Sequence, residues 1–168
     1  MENVNLKAAK NLLGKFLVRR IGKKEIALMI TEVEAYDGFN DKASHASKGK
    51  TERNKIMFGK AGNWYVYFTY GMHWILNIVT GPKDYPAAVL IRGTDKINGP
   101  ARITKYLKVD GKFNGKFADK KTGLWIKDRG VKIKSSEIKS AKRIGVDYAG
   151  KYWSSRKWRF YLNKNLLE

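Results

Sequence analysis

The chain has 168 residues, with 35 lysines and arginines against 15 aspartates and glutamates, a formal charge of +20. Its apolar share of 43% and aromatic share of 12% suffice for the core of one ordinary domain and exclude a disordered basic tail. With no cysteine and only two histidines, it cannot carry disulfides, thiolate-bound metals, cysteine nucleophiles or a histidine-rich metal centre. No cofactor is expected. The surplus charge predicts a polyanionic partner, nucleic acid first and an acidic membrane surface second. A lysine-rich composition serving only solubility is the plain alternative. The opening MENVNLKAAKNLLGKFLVRR has neither an uninterrupted apolar stretch nor a small-residue cleavage site. A signal peptide is therefore not expected, and a cytoplasmic location is.

Residues 3–13 read as a helix, with Leu6, Ala9 and Leu13 on one face and Gly14 as its stop. Residues 15–21 read as a strand, turned at Gly22. Residues 25–36, EIALMITEVEAY, read as a long strand, and strict alternation puts Leu28, Ile30, Glu32, Glu34 and Tyr36 on one face. Thr51 is placed to cap a short helix through Phe58. Trp64 to Gly81 carries no formal charge and approaches the length of a membrane span. Its β-branched and aromatic residues around Gly71 mark two strands and a tight turn instead.

A buried strand is expected at 87–92, and a helix from Asn98-Gly99-Pro100 to about Leu107, where proline is pre-set for the first turn. Residues 108–122 read as a polar loop rich in glycine and lysine. Short strands follow at 123–127 and 130–134, and a last one at 157–162. The expected fold is α+β. It is one compact domain over 1–168, with a mixed, mostly antiparallel sheet, short flanking helices and a protruding β-hairpin.

Four places have the residue types for chemistry. In TEVEAYDG, Glu34 and Tyr36 share a strand face, so a carboxylate lies beside an aromatic platform. Spacing alone favours a glutamate at a strand end meeting solvent over a general base. His45 lies in the polar stretch DKASHASKGK, and a single histidine there reads first as a surface residue. In the hairpin, Tyr65 and Tyr67 share a face, either as core or as a platform. Tyr70 precedes the turn glycine, where an exposed ring needs an apolar partner. On a basic protein that partner can be a base step, opened by a wedge. Arg92 ends AAVLIR and is either solvated or a holder of phosphate or carboxylate. The segment GKAG lacks phosphate-loop spacing. Asp37 and Asp41 near Glu34 are weak evidence for a metal cluster, and none is expected.

Taken in order, NLLGKFLVRR, TEVEAYDG, SHASKGKTERNKIMFGKAGNWYVYFTYGMHWILNI, AAVLIRG, NGPARI and RIGVDYAGKYWSSRKWRFY resemble the alkyladenine, or methylpurine, DNA glycosylase family nearly end to end. The resemblance implies excision of damaged purines of the 3-methyladenine, 7-methylguanine, hypoxanthine and ethenoadenine class from double-stranded DNA. It implies that Glu34 activates water, with Arg92 as the catalytic-site arginine. Tyr36 and Tyr67 would stack on a flipped base, and Asn77 would shape its pocket. His45 and the backbone around Ala43 would read the base, and Tyr70 would fill the gap left in the DNA. Met57 and Val146 match positions near the DNA or the pocket.

A lysine nucleophile is not required, so the expectation is a monomeric, monofunctional glycosylase without strand cleavage. Asp147-Tyr148 departs from the family's glycine–histidine pair, and Arg102 stands where lysine is common. Both departures bear on substrate range more than on reaction class. The competing reading is a non-catalytic basic DNA-binding protein on the same scaffold. A membrane-surface protein is a third, for which helix 3–13 is short and weakly amphipathic.

Overall fold

The computed structural model describes residues 3–163. Helix α1 (Val4–Leu12) starts at Asn3, whose side-chain oxygen accepts from the Asn5 and Leu6 N–H groups at 2.8 and 3.4 Å. These are two of the donors that a helix start leaves unpaired. Strands β1 (Phe16–Ile21) and β2 (Lys24–Asp37) follow, then β3 (Trp64–Thr69), β4 (His73–Val79) and β5 (Ala87–Thr94). Helix α2 (Pro100–Tyr106), strands β6 (Leu124–Lys127) and β7 (Ile138–Ala141), helix α3 (Gly150–Ser154) and strand β8 (Arg159–Leu162) complete the chain.

The strands pair in the order β3-β4-β5-β2-β1-β6, and β8 joins β2 to β7. All these pairs are antiparallel, within an α+β fold as the sequence predicts. The 14-residue β2 is the spine. Its first half pairs with β1 and its second half with β8, while β5 covers its other edge.

Strict alternation along β2 fails at one point, and that point sets up the site. Opposite β5 the register shifts twice in succession, between Ile30 and Glu32 and between Glu32 and Val33. Thr31 of β2 and Arg92 of β5 are left without an opposite residue, as in a pair of β-bulges. Leu28 and Ile30 therefore share the main core with Val33 and Ala35, and not a face with Glu34 and Tyr36. The same core takes Val89 and Ile91 of β5, Leu76 of β4, and Trp64 and Val66 of β3. Ala9 of α1 and Ile103 of α2 close it. The other face of these strands carries Glu34, Tyr36, Leu90, Asn77, Tyr65 and Tyr67, and a cavity opens over it.

Two more expectations change. Between Thr51 and Phe58 only Lys55–Phe58 is helical, as a 3₁₀ turn. Thr51 and Asn54 instead bond each other reciprocally, side chain to backbone N–H, at 3.3 and 2.7 Å. Residues 130–134 form no strand, because β6 already occupies the free edge of β1. Ile133 nevertheless packs on the main core. The ladder comes later, as β7. The loop 108–122 is ordered along the outer edge of β3: the Trp64 N–H donates to the Lys116 carbonyl, and Gly115 N–H to the Trp64 carbonyl, both at 2.8 Å. Covering an edge strand in this way removes a template for aggregation.

Candidate active site

One register row crosses four strands: Tyr65 of β3 lies opposite Asn77 of β4, Asn77 opposite Leu90 of β5, and Leu90 opposite Glu34 of β2. Their side chains floor a cavity of about 290 Å³. Three segments roof it: the turn at His45, the stretch ending at Met57, and the loop Ile144–Val146. All ten site residues expected from the sequence line this one cavity: Glu34, Tyr36, Ala43, His45, Met57, Tyr67, Tyr70, Asn77, Arg92 and Val146.

Glu34 is fully buried, which corrects the reading of a solvated strand end. Its Oε2 accepts from the Tyr36 hydroxyl at 2.8 Å, and its Oε1 from the Ile144 N–H at 2.7 Å. Arg92 Nη1 stands 3.6 Å from Oε1. Burial pushes the carboxyl above the ordinary glutamate range. Arg92, the Ile144 N–H, the Tyr36 hydroxyl and Arg143 oppose that push without overcoming it. A carboxylate so placed is a stronger base than one in water. Arg92 is mostly buried as well, and its Nε has no hydrogen-bond partner.

Tyr36 and Tyr67 both line the cavity, and burial holds both hydroxyls protonated. Tyr67 contacts the His45 ring edge-on, with centroids 4.6 Å apart. His45 Nδ1 lies 3.0 Å from the Tyr65 hydroxyl. His45 is exposed as a whole residue, and the desolvation of its ring, then Arg53, push the imidazole below its ordinary value. Burial pushes Tyr65 up to about 12. Asn77 is buried, and its amide donates to the Tyr65 carbonyl at 3.2 Å. Met57 and Val146 are buried apolar walls. Both backbone groups of Ala43 are engaged, its N–H by Asp41 and its carbonyl by the Tyr148 hydroxyl at 2.7 Å. The His45 N–H, first in its 3₁₀ turn, has no intrahelical acceptor.

Tyr70 lies at the hairpin tip and is 86% exposed. The Met72 N–H donates to the Thr69 carbonyl, and both residues between them, Tyr70 and Gly71, have positive φ, +52° and +64°. That is the sign pattern of a type I′ turn, which suits the twist of a hairpin. Glycine adopts it freely. Tyrosine does so at a cost.

Sequence reasoning missed the residues that hold this arrangement. Arg143, fully buried, donates two bonds to Asp41 (2.6 and 2.8 Å) and one to the Ala35 carbonyl (2.9 Å). Its guanidinium lies 4.8 Å from the centre of the Tyr36 ring and 5.0 Å from that of Trp158. Asp41, imagined above as a metal ligand, is thus an arginine partner, and Asp37 bonds Asn3 and Tyr85. No group of three or more His, Asp or Glu among the described residues is placed to hold a metal. A separation of 102 residues leaves no local signal for the Asp41–Arg143 pair. Tyr148, flagged as a departure from the family pattern, lies at the cavity mouth and is 69% exposed. Arg53 backs Tyr67 at 5.4 Å.

A buried carboxylate thus lies in a cavity lined by Tyr36 and Tyr67, beside an exposed tyrosine at a hairpin tip of a strongly basic chain. A family model described as methylpurine-DNA glycosylase matches residues 1–98 and 94–166. A protein of Methanocella arvoryzae is 42% identical, covering 93% of this chain and 86% of its own length. One from Borreliella afzelii is 40% identical (94% and 90%), and one from Legionella pneumophila 39% identical (98% and 92%). Each carries 3-methyladenine DNA glycosylase in its name. The chain belongs to the methylpurine-DNA glycosylase family, hydrolases that cleave N-glycosyl bonds. No helix among the described residues is long and apolar enough to cross a membrane.

Proposed function

We propose that this protein is a monofunctional glycosylase. It extrudes damaged purines from duplex DNA into the cavity above Glu34 and hydrolyses the N-glycosidic bond with water held by that carboxylate. The observation that carries this reading is the buried Glu34 between a tyrosine hydroxyl and a backbone N–H, 3.6 Å from Arg92. Flipping a nucleotide costs about a few kcal/mol. Tyr36 and Tyr67 sandwich the flipped base, at ~1–3 kcal/mol per stacked base, and their faces also attract the positive charge of methylated purines. The His45 N–H and the Ala43 segment face the base edge, while Asn77, Met57 and Val146 bound the pocket. As the base departs, the sugar becomes oxocarbenium-like; Glu34 offsets that charge and takes a proton from the attacking water. Arg92 holds the adjoining phosphate or the water through its terminal guanidinium nitrogens.

No lysine lines the cavity among the described residues, which supports hydrolysis without a Schiff base or strand cleavage. The substrates are methylated purines, hypoxanthine and ethenoadenine; the protein works as a monomer on nucleoid DNA in the cytoplasm of a prokaryote. The test is product analysis with alkylated DNA. Free methylated purine together with strands that break only after alkali is the expected outcome. Tight DNA binding with no base released would instead make this a binding protein on the same scaffold.

Two further outcomes are expected. Tyr70→Ala removes the wedge and, at ~1–3 kcal/mol for a lost aromatic stack, lowers single-turnover release from stable duplex pairs about 10- to 100-fold. Single-stranded substrate is spared, and equal losses on both would remove the wedge from the account. DNA affinity falls with salt with a log–log slope of about −0.9 per phosphate neutralised. A flat response in a binding titration would show that the +20 charge does not meet the backbone.

A further inference from the structure

Glu32 takes no part in the steps above, yet charge ties it to them. Four side chains alternate in sign: Arg159 of β8, Glu32 of β2, Arg92 of β5 and Glu34 of β2. Arg159 Nη1 lies 2.9 Å from Glu32 Oε1, Arg92 Nε 3.5 Å from the same oxygen, and Arg92 Nη1 3.6 Å from Glu34 Oε1. The two Arg92 contacts are longer than hydrogen bonds. An arginine facing a buried carboxylate closes on it, as Arg143 does on Asp41 at 2.6 and 2.8 Å. Arg92 is instead suspended between two carboxylates. Glu32 is fixed independently of it. Arg159 holds one side and is itself anchored to the Lys142 carbonyl at 2.8 Å. On the other side Gly93 leaves the room, since a Cβ there would come 3.0 Å from Glu32 Cβ and 3.2 Å from its Oε2.

We propose that Glu32 is a positioning residue that draws Arg92 back from Glu34, keeping Glu34 a free carboxylate instead of half of a closed salt bridge. The proposal rests on the reading of Glu34 as the base. The groups facing Glu34 are Tyr36 on its own strand, Arg92 on β5, Arg159 opposite it on β8, and Tyr67 on β3. From the C-terminal loop come Arg143, Tyr148 and the Ile144 N–H. The tyrosines stay protonated at neutral pH, and Asp41 is engaged by Arg143. Glu32 is thus the counter-charge that competes with Glu34 for Arg92 among the described residues.

Two readouts test it, the pH profile of single-turnover base release and the titration of the Glu34 carboxyl by carbon NMR. In Glu32→Gln, Arg92 closes on Glu34. The carboxyl then titrates at lower pH, by about one pH unit or more for a closer opposite charge. The acid limb of the rate profile moves down with it, and the rate on the neutral plateau falls. Glu32→Asp keeps the charge and recovers part of the plateau. In an Arg92→Met background, Glu32→Gln changes the titration little, because its action runs through Arg92. A Glu34 titration that stays put or rises in Glu32→Gln overturns the proposal. So does a fallen plateau with an unmoved acid limb, which is a merely structural effect. A wild type that releases no base, with the carboxyl titration still moving as described, removes the glycosylase reading and leaves the placement of Glu32 standing.

Discussion

Glu34→Gln is expected to abolish base release while making the protein more stable. Losing a positioned general base costs about 10²- to 10⁴-fold in rate, and the amide also cannot offset charge on the sugar. The stability gain has the opposite sign for the same reason. Burial raises the folded-state pKa of Glu34 above its ordinary value, so the fold favours the protonated carboxyl. Stability from this group is present in acid and is lost as pH rises through the folded value. Glutamine, neutral at every pH, never incurs that loss. Each kcal/mol of that gain amounts to ~2–4 °C in melting temperature for a chain of this size. Melting curves at pH 8 and pH 4 check it: the variant's advantage is present at pH 8 and shrinks toward pH 4. The wild-type rate falls with acid around a pH above the ordinary glutamate range. A variant less stable than wild type at pH 8 would contradict the burial argument.

The second large effect is structural. Arg143→Met leaves Asp41 buried without its cation, and breaking a buried pair costs ~3–5 kcal/mol. With ~2–4 °C of melting temperature per kcal/mol, the melting temperature drops on the order of 10 °C. Activity suffers beyond stability, because Arg143 bonds the Ala35 carbonyl and packs on Tyr36, the two residues that follow Glu34 on β2. Replacing both partners in Asp41→Asn/Arg143→Met recovers part of the melting temperature, since no charge is then left unpaired. A single variant that melts with the wild type would show that the pair is not the clasp described.

What the sequence disclosed follows from how local each signal is. Hairpin β3–β4 announces itself by β-branched and aromatic residues around a turn glycine, and α2 by the proline that opens it. The cavity face of β3 follows from alternation, which pairs Tyr65 with Tyr67. Alternation misled on β2, because a bulge at Thr31 inverts the faces and no residue type at that position advertises it. The strand expected at 130–134 does not form, because no partner edge is free there. The site residues were named through the resemblance of ordered motifs. Spacing alone left Glu34 in solvent, since its burial depends on a loop more than one hundred residues later. The Asp41–Arg143 clasp, the Ile144 N–H and the Glu32–Arg92 contact are likewise products of the fold.

The central claim is that Glu34 acts in chemistry and not in holding DNA. Single-turnover base release from defined duplexes tests it most directly. One set carries hypoxanthine or ethenoadenine and another is methylated, with wild type and Glu34→Gln run side by side and binding measured on the same DNA. The account predicts release by the wild type, none by the variant, and equal affinity for both. Release by Glu34→Gln at the wild-type rate, or no release by the wild type from any of these lesions, would contradict it.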